Sequence, residues 1–119
     1  MASRTDPTDF LPVAPQDLQL LLAVRRGALH GYAIMRAVES QSDGRVRIEL
    51  GSLYRILHRL ERAGLIAEAA AANDPASPGR DRRFYRTTTL GKAVIAAELE
   101  RLRRVLELAT GVRAGEARP

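Results

Sequence analysis

The 119-residue chain contains no cysteine, which excludes a disulfide framework and a thiolate metal site. No apolar run approaches the roughly 18–20 residues that a helix needs to cross a bilayer. The first residues, Met1 to Asp9, are polar and acidic, unlike the start of a secretory signal. From these absences we expect a cytoplasmic protein that does not insert into a membrane.

The sequence also has few of the residue groupings on which catalysis depends. Its two histidines, His30 and His58, lie in separate predicted helices, and neither has a carboxylate at the spacing typical of metal ligands. Gly27, Gly31 and Gly44 are too scattered to form a phosphate-binding glycine loop. We therefore predict no enzyme activity, no metal and no cofactor.

Positive charge is what the chain has in excess, with a formal net charge of +5. Much of it lies between residues 45 and 86, which contain nine arginines and five acidic residues. A basic segment in a small domain is typical of nucleic-acid-binding proteins, but a solvated basic surface has the same composition. The hydrophobic share of 45% is ordinary for a soluble protein, and the length fits one domain that would gain from oligomerisation.

Helical patterns dominate the first part of the chain. Residues 1–14 contain prolines and little periodicity, so we predict a flexible N-terminal arm. A first helix is predicted to begin at Pro15 and to end near Arg26. Leucines lie on nearly every side of it, which predicts burial on more than one face, partly by a second subunit. A second helix is predicted from His30 to Gln41.

A short strand and a third helix are predicted next. Val46, Ile48 and Leu50 alternate with charged residues, and this period of two predicts a strand with one buried face. The third helix covers about residues 51–63 and has two separate faces. Its core face contains Leu53, Ile56, Leu57 and Leu60. Its opposite face contains Ser52, Arg55, Arg59 and Arg62. Tyr54 borders the core face, so it either packs at the rim or donates its hydroxyl to a phosphate.

A β-hairpin is predicted from residues 65–69 and 82–87, which are joined by a polar, proline-containing connection. Phe84 and Tyr85 alternate along its second strand, so one should be buried and the other more exposed. The pattern does not say which of the two is buried.

Thr88 is suited to cap a long last helix that ends near Ala109. Five apolar residues of this helix follow the 4-3-4-3 spacing of a helix–helix seam: Ile95, Leu99, Leu102, Leu106 and Ala109. The predicted organisation is an arm at 1–14, a domain at 15–88, a dimerisation helix at 89–109 and a disordered tail at 110–119.

The order of these elements predicts a mainly α fold with a small β-wing, the winged helix-turn-helix. In such folds the second helix of the motif enters the major groove, and here that helix is residues 51–63. Arginine suits this position because its guanidinium can hold a guanine edge or a phosphate with two hydrogen bonds. The hairpin adds further basic residues that would lie along either a neighbouring minor groove or the DNA backbone: Arg80, Arg82 and Arg83.

Three segments carry a more specific pattern: residues 30–32 are HGY, residues 50–66 are LGSLYRILHRLERAGLI, and residues 82–91 are RRFYRTTTLG. In this order and spacing, over about residues 18–108, they resemble the PadR-like transcriptional regulators. The chain departs from many members in having Leu50 in place of a proline. It also has a long, alanine-rich connection in the hairpin.

The resemblance implies a winged helix with one C-terminal helix, dimerised through that helix and the N-terminal helix. Leu18 and Leu22 of the N-terminal helix are therefore expected in the dimer interface. By the same resemblance, Ser52, Tyr54 and Arg55 lie at the DNA-facing start of the recognition helix, and Arg82 and Arg83 lie on the wing. Members typically repress nearby genes and often release DNA when a small hydrophobic or phenolic compound binds.

We therefore expect a homodimeric, sequence-specific repressor that binds a pseudo-palindrome in double-stranded DNA. The alternative is a protein-interaction module that uses the winged fold without DNA, because a fold does not fix a function. Salt separates the two hypotheses, since phosphate contacts release counterions and weaken steeply as salt rises.

Overall fold

The computed structural model describes residues 5–69 and 83–111 of the chain. Within these ranges a 3₁₀-helix, Pro7–Phe10, precedes the regular elements. The helices are α1 Pro15–Arg25, α2 Gly31–Gln41, α3 Leu50–Arg62 and α4 Thr89–Thr110. The strands are β1 Leu29–His30, β2 Ile66–Ala69 and β3 Phe84–Thr87. The predicted hairpin connection, with Arg80 and the neighbouring Arg82, lies outside the described residues, as does the predicted tail from residue 112 onward.

The predicted fold class is confirmed, because the described residues form a mainly helical structure with a small antiparallel sheet. The strand order is β1-β3-β2. The predicted hairpin is the β2–β3 pair, in which Ile66 lies opposite Thr87 and Ala69 lies opposite Phe84. Tyr85 of β3 is the buried aromatic residue, at 4% exposure. Phe84 is half-buried, and its ring meets His30 edge-on at a centroid distance of 5.5 Å.

The strand predicted at residues 46–50 is wrong. Residues 46–49 form a loop and Leu50 begins α3. In the loop, the Ser42 hydroxyl accepts from the Val46 N–H at 3.0 Å and donates to the Val46 carbonyl at 3.2 Å. The third strand is β1 instead, since Leu29 and His30 pair with the free edge of β3. The alternation does not correspond to one buried face either: Ile48 is 3% exposed, whereas Leu50 is 58% exposed.

Helix α1 lies at the centre of the structure and contacts α2, α4 and β3. As the leucine distribution predicts, it is buried on more than one side: Leu20, Leu21 and Val24 are at most 1% exposed. Leu18 and Leu22 are only half-buried. One helix therefore supplies core residues to several partners and keeps part of its apolar surface near solvent.

The N-terminal segment packs against the domain, which differs from the predicted flexible arm over its described part. Phe10, Leu11 and Val13 contact the hydrophobic core, and the 3₁₀-helix lies against α4. Glu98 of α4, 1% exposed, accepts a hydrogen bond from the Val13 N–H. Arg101 donates to both oxygens of the Glu98 carboxylate, at 2.7 and 2.8 Å. Composition alone did not indicate this anchoring, because it depends on one carboxylate about 85 positions away in the chain.

Helix α4 is packed into the core along its first half and is exposed along its second half. Thr88 caps it as predicted: its hydroxyl accepts from the Gly91 N–H at 2.9 Å and donates to the Gly64 carbonyl at 2.6 Å. Ile95 is only 2% exposed and lies inside the core of its own chain, so its predicted place in an intermolecular seam is wrong. Leu102 and Leu106, one and two turns beyond the core, are 38% and 62% exposed. The 4-3-4-3 pattern thus spans a buried half and an exposed half.

Gly91 marks the closest approach between α4 and the rest of the domain. A Cβ atom at Gly91 would lie 2.0 Å from the carbonyl oxygen of Leu65. We expect Gly91→Ala to lower the free energy of unfolding by about 3 kcal/mol, because backbone must move to accommodate the methyl group. Urea unfolding measures the change. Gly51→Ala is the matched control: its Cβ would meet nothing within 4 Å, so stability should be unchanged or slightly higher. Equal stability of Gly91→Ala and Gly51→Ala would contradict the contact.

The Glu98 carboxylate should make the stability of the domain depend on acid. The Arg101 hydrogen bonds hold the pKa of Glu98 below its ordinary value of 4.5. A lowered folded-state pKa contributes stability above the ordinary pKa, and that stability is lost as pH falls through the folded-state pKa. We expect Glu98→Gln to lower the free energy of unfolding at neutral pH by about 1–3 kcal/mol, with the difference shrinking below pH 4.5.

Urea unfolding of wild type and Glu98→Gln across this pH range measures that difference. Glu100→Gln is the control, because Glu100 lies on the same helix and pairs with Arg103 and Arg104 in an exposed position. Exposed ion pairs contribute little, so its unfolding curve should stay close to wild type. A Glu98→Gln protein as stable as wild type at neutral pH would rule out the anchoring role.

Candidate nucleic-acid interface

Helix α3 has one buried face and one exposed basic face. Its buried residues are those predicted from the spacing, Leu53, Ile56, Leu57 and Leu60, all at most 4% exposed. The opposite side presents Tyr54, Arg55, His58 and Arg62 to solvent. We call these four residues the basic face of α3. Because the apolar side of the helix packs into the core, these four side chains are left exposed to a partner molecule.

The turn that leads into α3 is fixed by backbone conformation and by contacts with α1. Asp43 and Gly44 adopt positive φ angles of 54° and 75°, which reverses the chain after α2. The Gln16 side-chain amide then donates to the Arg47 carbonyl at 3.2 Å. This contact ties the segment immediately before α3 to the start of α1. The entry into the helix is therefore ordered, although Leu50 replaces the proline that the resemblance leads one to expect.

The start of α2 lies against the start of α3. The His30 ring caps α2, since its Nδ1 accepts from the Ala33 N–H at 3.3 Å. A Cβ at Gly31 would lie 3.1 Å from Leu53 Cδ2 and 3.2 Å from the Tyr54 hydroxyl oxygen. A methyl group at 31 would therefore require the Leu53 and Tyr54 side chains to shift slightly. Tyr54 therefore packs its hydroxyl end beside α2, yet it keeps 55% of its surface exposed.

The arginines of α3 have different surroundings. Arg55 lies near Ser52, with a guanidinium nitrogen 3.4 Å from the serine hydroxyl. Arg59 makes two hydrogen bonds to the Asp17 carboxylate of α1, at 2.8 and 2.9 Å. These bonds raise the pKa of Arg59 above its ordinary value, so the group stays fully charged. The sequence did not predict this pair, because no local pattern connects positions 42 residues apart.

The described part of the wing adds one predicted site residue. Arg83 lies next to β3, and its guanidinium is 3.3 Å from the Glu68 carboxylate of β2, with 58% of the arginine side chain exposed. Burial raises the pKa of the neighbouring Tyr85 hydroxyl, which therefore stays neutral and structural. Arg80 and Arg82 lie outside the described residues. The structure thus brings Ser52, Tyr54, Arg55 and Arg62 together on α3 and places Arg83 separately, at the hairpin.

Other kinds of site find little support in the described ranges. Residues 5–69 and 83–111 contain no group of three histidine or acidic side chains placed to hold a metal ion. Among the helices described, none has the length and apolar character needed to span a bilayer.

Residues 20–97 match the family described as "Transcriptional regulator PadR-like family". The chain belongs to this family. The expectation from residues 30–32, 50–66 and 82–91 is therefore confirmed, and the family consists of transcriptional regulators rather than enzymes. An uncharacterized protein of Lysinibacillus sphaericus, protein X, is 30% identical over 91 residues, which cover 76% of this chain and 78% of that protein. Transcriptional regulator Rv3488 of Mycobacterium tuberculosis is 40% identical over 72 residues, 60% of each chain.

Solved structures share the PadR-like fold at low sequence identity. A PadR family transcription regulator from Clostridium difficile superposes with a TM-score of 0.66 at 19% identity, covering 82% of this chain and 97% of that one. Bacillus subtilis PadR, solved in complex with operator DNA, superposes with a TM-score of 0.60 at 17% identity. That match covers 79% of this chain and 58% of the Bacillus protein. At these identities the similarity establishes the fold.

Proposed function

We propose that this PadR-like chain is a sequence-specific DNA-binding repressor that acts as a homodimer. The observation that carries the proposal is the basic face of α3. An arginine-bearing helical face, opposite a fully buried apolar face, fits the width of the major groove. Bacillus subtilis PadR was solved with operator DNA, and this chain shares its fold, which supports the assignment.

Each site residue has a proposed task on DNA. Arg55 and Arg62 are two helical turns apart on one face, a span of about 10 Å, so both would reach base edges along one groove. Ser52 and Tyr54, near the start of α3, are proposed to contact phosphates with their hydroxyls. Arg83 is proposed to contact the backbone beside the groove, together with Arg80 and Arg82 of the wing. Arg59 is proposed as a phosphate contact.

The homodimer is proposed to form through the exposed half of α4. Beyond the core, this helix exposes four large apolar residues on one side: Leu99, Leu102, Val105 and Leu106. Four such residues on one short helical segment are more than a monomer of this size usually leaves in water. Leu18 and Leu22, half-buried on α1, are proposed to extend this interface. A two-fold dimer would place its α3 helices in successive major grooves, about 34 Å apart, over a pseudo-palindrome.

Repression would then follow from occupancy, since a dimer bound over a promoter blocks transcription. Release by a small hydrophobic or phenolic compound is proposed from the resemblance. A groove of about 340 Å³ between α1 and α2, lined by Ala23, Leu29 and Ala37 among others, is large enough for a single ring. Phenolic acids titrated into the protein–DNA complex test this step, and an unchanged DNA affinity would count against it.

Substitutions on the basic face should weaken DNA binding. Selection of bound sequences from a random duplex pool at two salt concentrations supplies the operator. We expect Arg55→Ala and Arg62→Ala each to lower affinity for it by about 1–3 kcal/mol, the cost of losing a bidentate base contact. Fluorescence anisotropy measures the dissociation constants. Arg104→Ala is the matched control, because Arg104 is 74% exposed and lies on α4, away from the basic face.

The same assay separates DNA binding from the protein-interaction alternative. A palindrome enriched in the selection and bound more weakly at high salt supports the repressor. No enrichment at either salt concentration would favour an interaction module. Enrichment with full affinity in both arginine variants would instead show that another surface reads the DNA.

A charge in the apolar stripe of α4 should break the dimer. Leu102→Asp would bury an unpaired carboxylate between subunits, so we expect a monomer at micromolar concentrations, as measured by sedimentation equilibrium. Arg104→Asp places the same side chain on the exposed, polar side of the helix and should leave the dimer intact. A dimeric Leu102→Asp protein would move the interface away from this stripe.

A further inference from the structure

The pair of Asp17 and Arg59 joins α1 to the recognition helix and differs from the other described ion pairs between elements. Both carboxylate oxygens accept hydrogen bonds, one from each terminal nitrogen of the guanidinium. The Asp17 side chain is 12% exposed, whereas that of Arg59 is 56% exposed. By comparison, Arg47 and Glu39 lie 3.6 Å apart with both side chains more than half exposed. The carboxylate is therefore held in place, and its arginine partner reaches solvent.

Arg59 lies at the margin of the basic face of α3, on the side toward α1. The Arg59 guanidinium donates two of its five N–H groups to the Asp17 carboxylate. Three N–H donors are left for another acceptor. When a recognition helix lies in the major groove, side chains at the edge of its DNA-facing surface are close to the phosphates that border the groove. A guanidinium fixed by a carboxylate on one side and open to solvent on the other has its free donors aimed before a ligand arrives.

We propose that Asp17 is a positioning residue for DNA binding: it orients the Arg59 guanidinium so that the remaining N–H donors hold a DNA phosphate. This inference rests on the proposed repressor function. Asp17 does not itself contact DNA, because its carboxylate would repel the phosphate. Its contribution is to restrict a long, flexible side chain, which lowers the entropy lost when the contact forms.

Two other roles for the pair lead to different results. If Asp17 only neutralised Arg59, removing the carboxylate would strengthen DNA binding and increase its salt dependence. If the pair only held α1 against α3, its loss would lower stability, but the folded protein would bind DNA as before. A positioning role requires weaker binding, and it requires that the effect of Asp17 disappear when Arg59 is absent.

The experiment is a double-mutant cycle on the selected operator duplex, with full-length protein at several salt concentrations. We expect Asp17→Asn to raise the dissociation constant about tenfold, and to do so less than twofold in an Arg59→Ala background. The negative slope of log affinity against log salt concentration should become shallower by about 0.9 in Arg59→Ala, the value for the loss of one phosphate contact. In Asp17→Asn the slope should change in the same direction by a smaller amount. Glu100→Gln removes the same unit of charge on α4 and should leave the dissociation constant unchanged.

An exchange of the two residues covers the case in which Asp17→Asn unfolds. The double variant Asp17→Arg with Arg59→Asp restores opposite charges and should recover the melting temperature. It should bind at least as weakly as Arg59→Ala, because the acid now faces the phosphate. Wild-type affinity in the exchanged protein, unchanged affinity in Asp17→Asn, or tighter binding in Asp17→Asn would each overturn the proposal. Failure of the wild type to bind any duplex would instead remove the proposed function itself.

Discussion

Gly91 packs against the Leu65 carbonyl so closely that no side chain fits between them. Leu65 follows the end of α3, and Gly91 lies in the first turn of α4. The Leu65 carbonyl also accepts from the Thr88 N–H at 3.1 Å, while the Thr88 side chain reaches Gly64. These contacts hold the first turn of α4 directly against the turn that follows α3.

That joint connects the two proposed tasks of the protein. A dimer that forms through α4 places its second α3 helix according to the α3–α4 angle. Since the proposed operator requires two recognition helices about one helical turn of DNA apart, small changes at this joint would alter the spacing of half-sites. Helix α1 adds a second restraint, because it is buried among α2, α4 and β3 and reaches α3 through the Asp17–Arg59 pair.

Polar groups in this small domain occur where elements are joined. Glu98 anchors the N-terminal segment, Asp17 anchors Arg59, and Thr88 closes the junction between α3 and α4. Each is paired with hydrogen-bonding groups, as a buried polar group must be to avoid a desolvation penalty. The apolar core supplies most of the stability, while these few polar contacts select one arrangement of its helices.

The fold class, the hairpin, the capped last helix and the two faces of α3 could all be predicted from the amino-acid sequence. These features depend on local spacing: apolar residues three and four positions apart, a period of two in the strands, and a threonine before a helix. The same rules predicted a strand at 46–50 and placed Ile95 in an intermolecular seam. Both predictions were wrong because the spacing of apolar residues identifies neither the type of element nor the partner that buries a residue. Three features became visible in the three-dimensional structure: Leu29 and His30 pair with β3, Ile95 is buried in its own chain, and Asp17 binds Arg59. These outcomes join residues far apart in the chain, and such contacts are set by how the elements pack together.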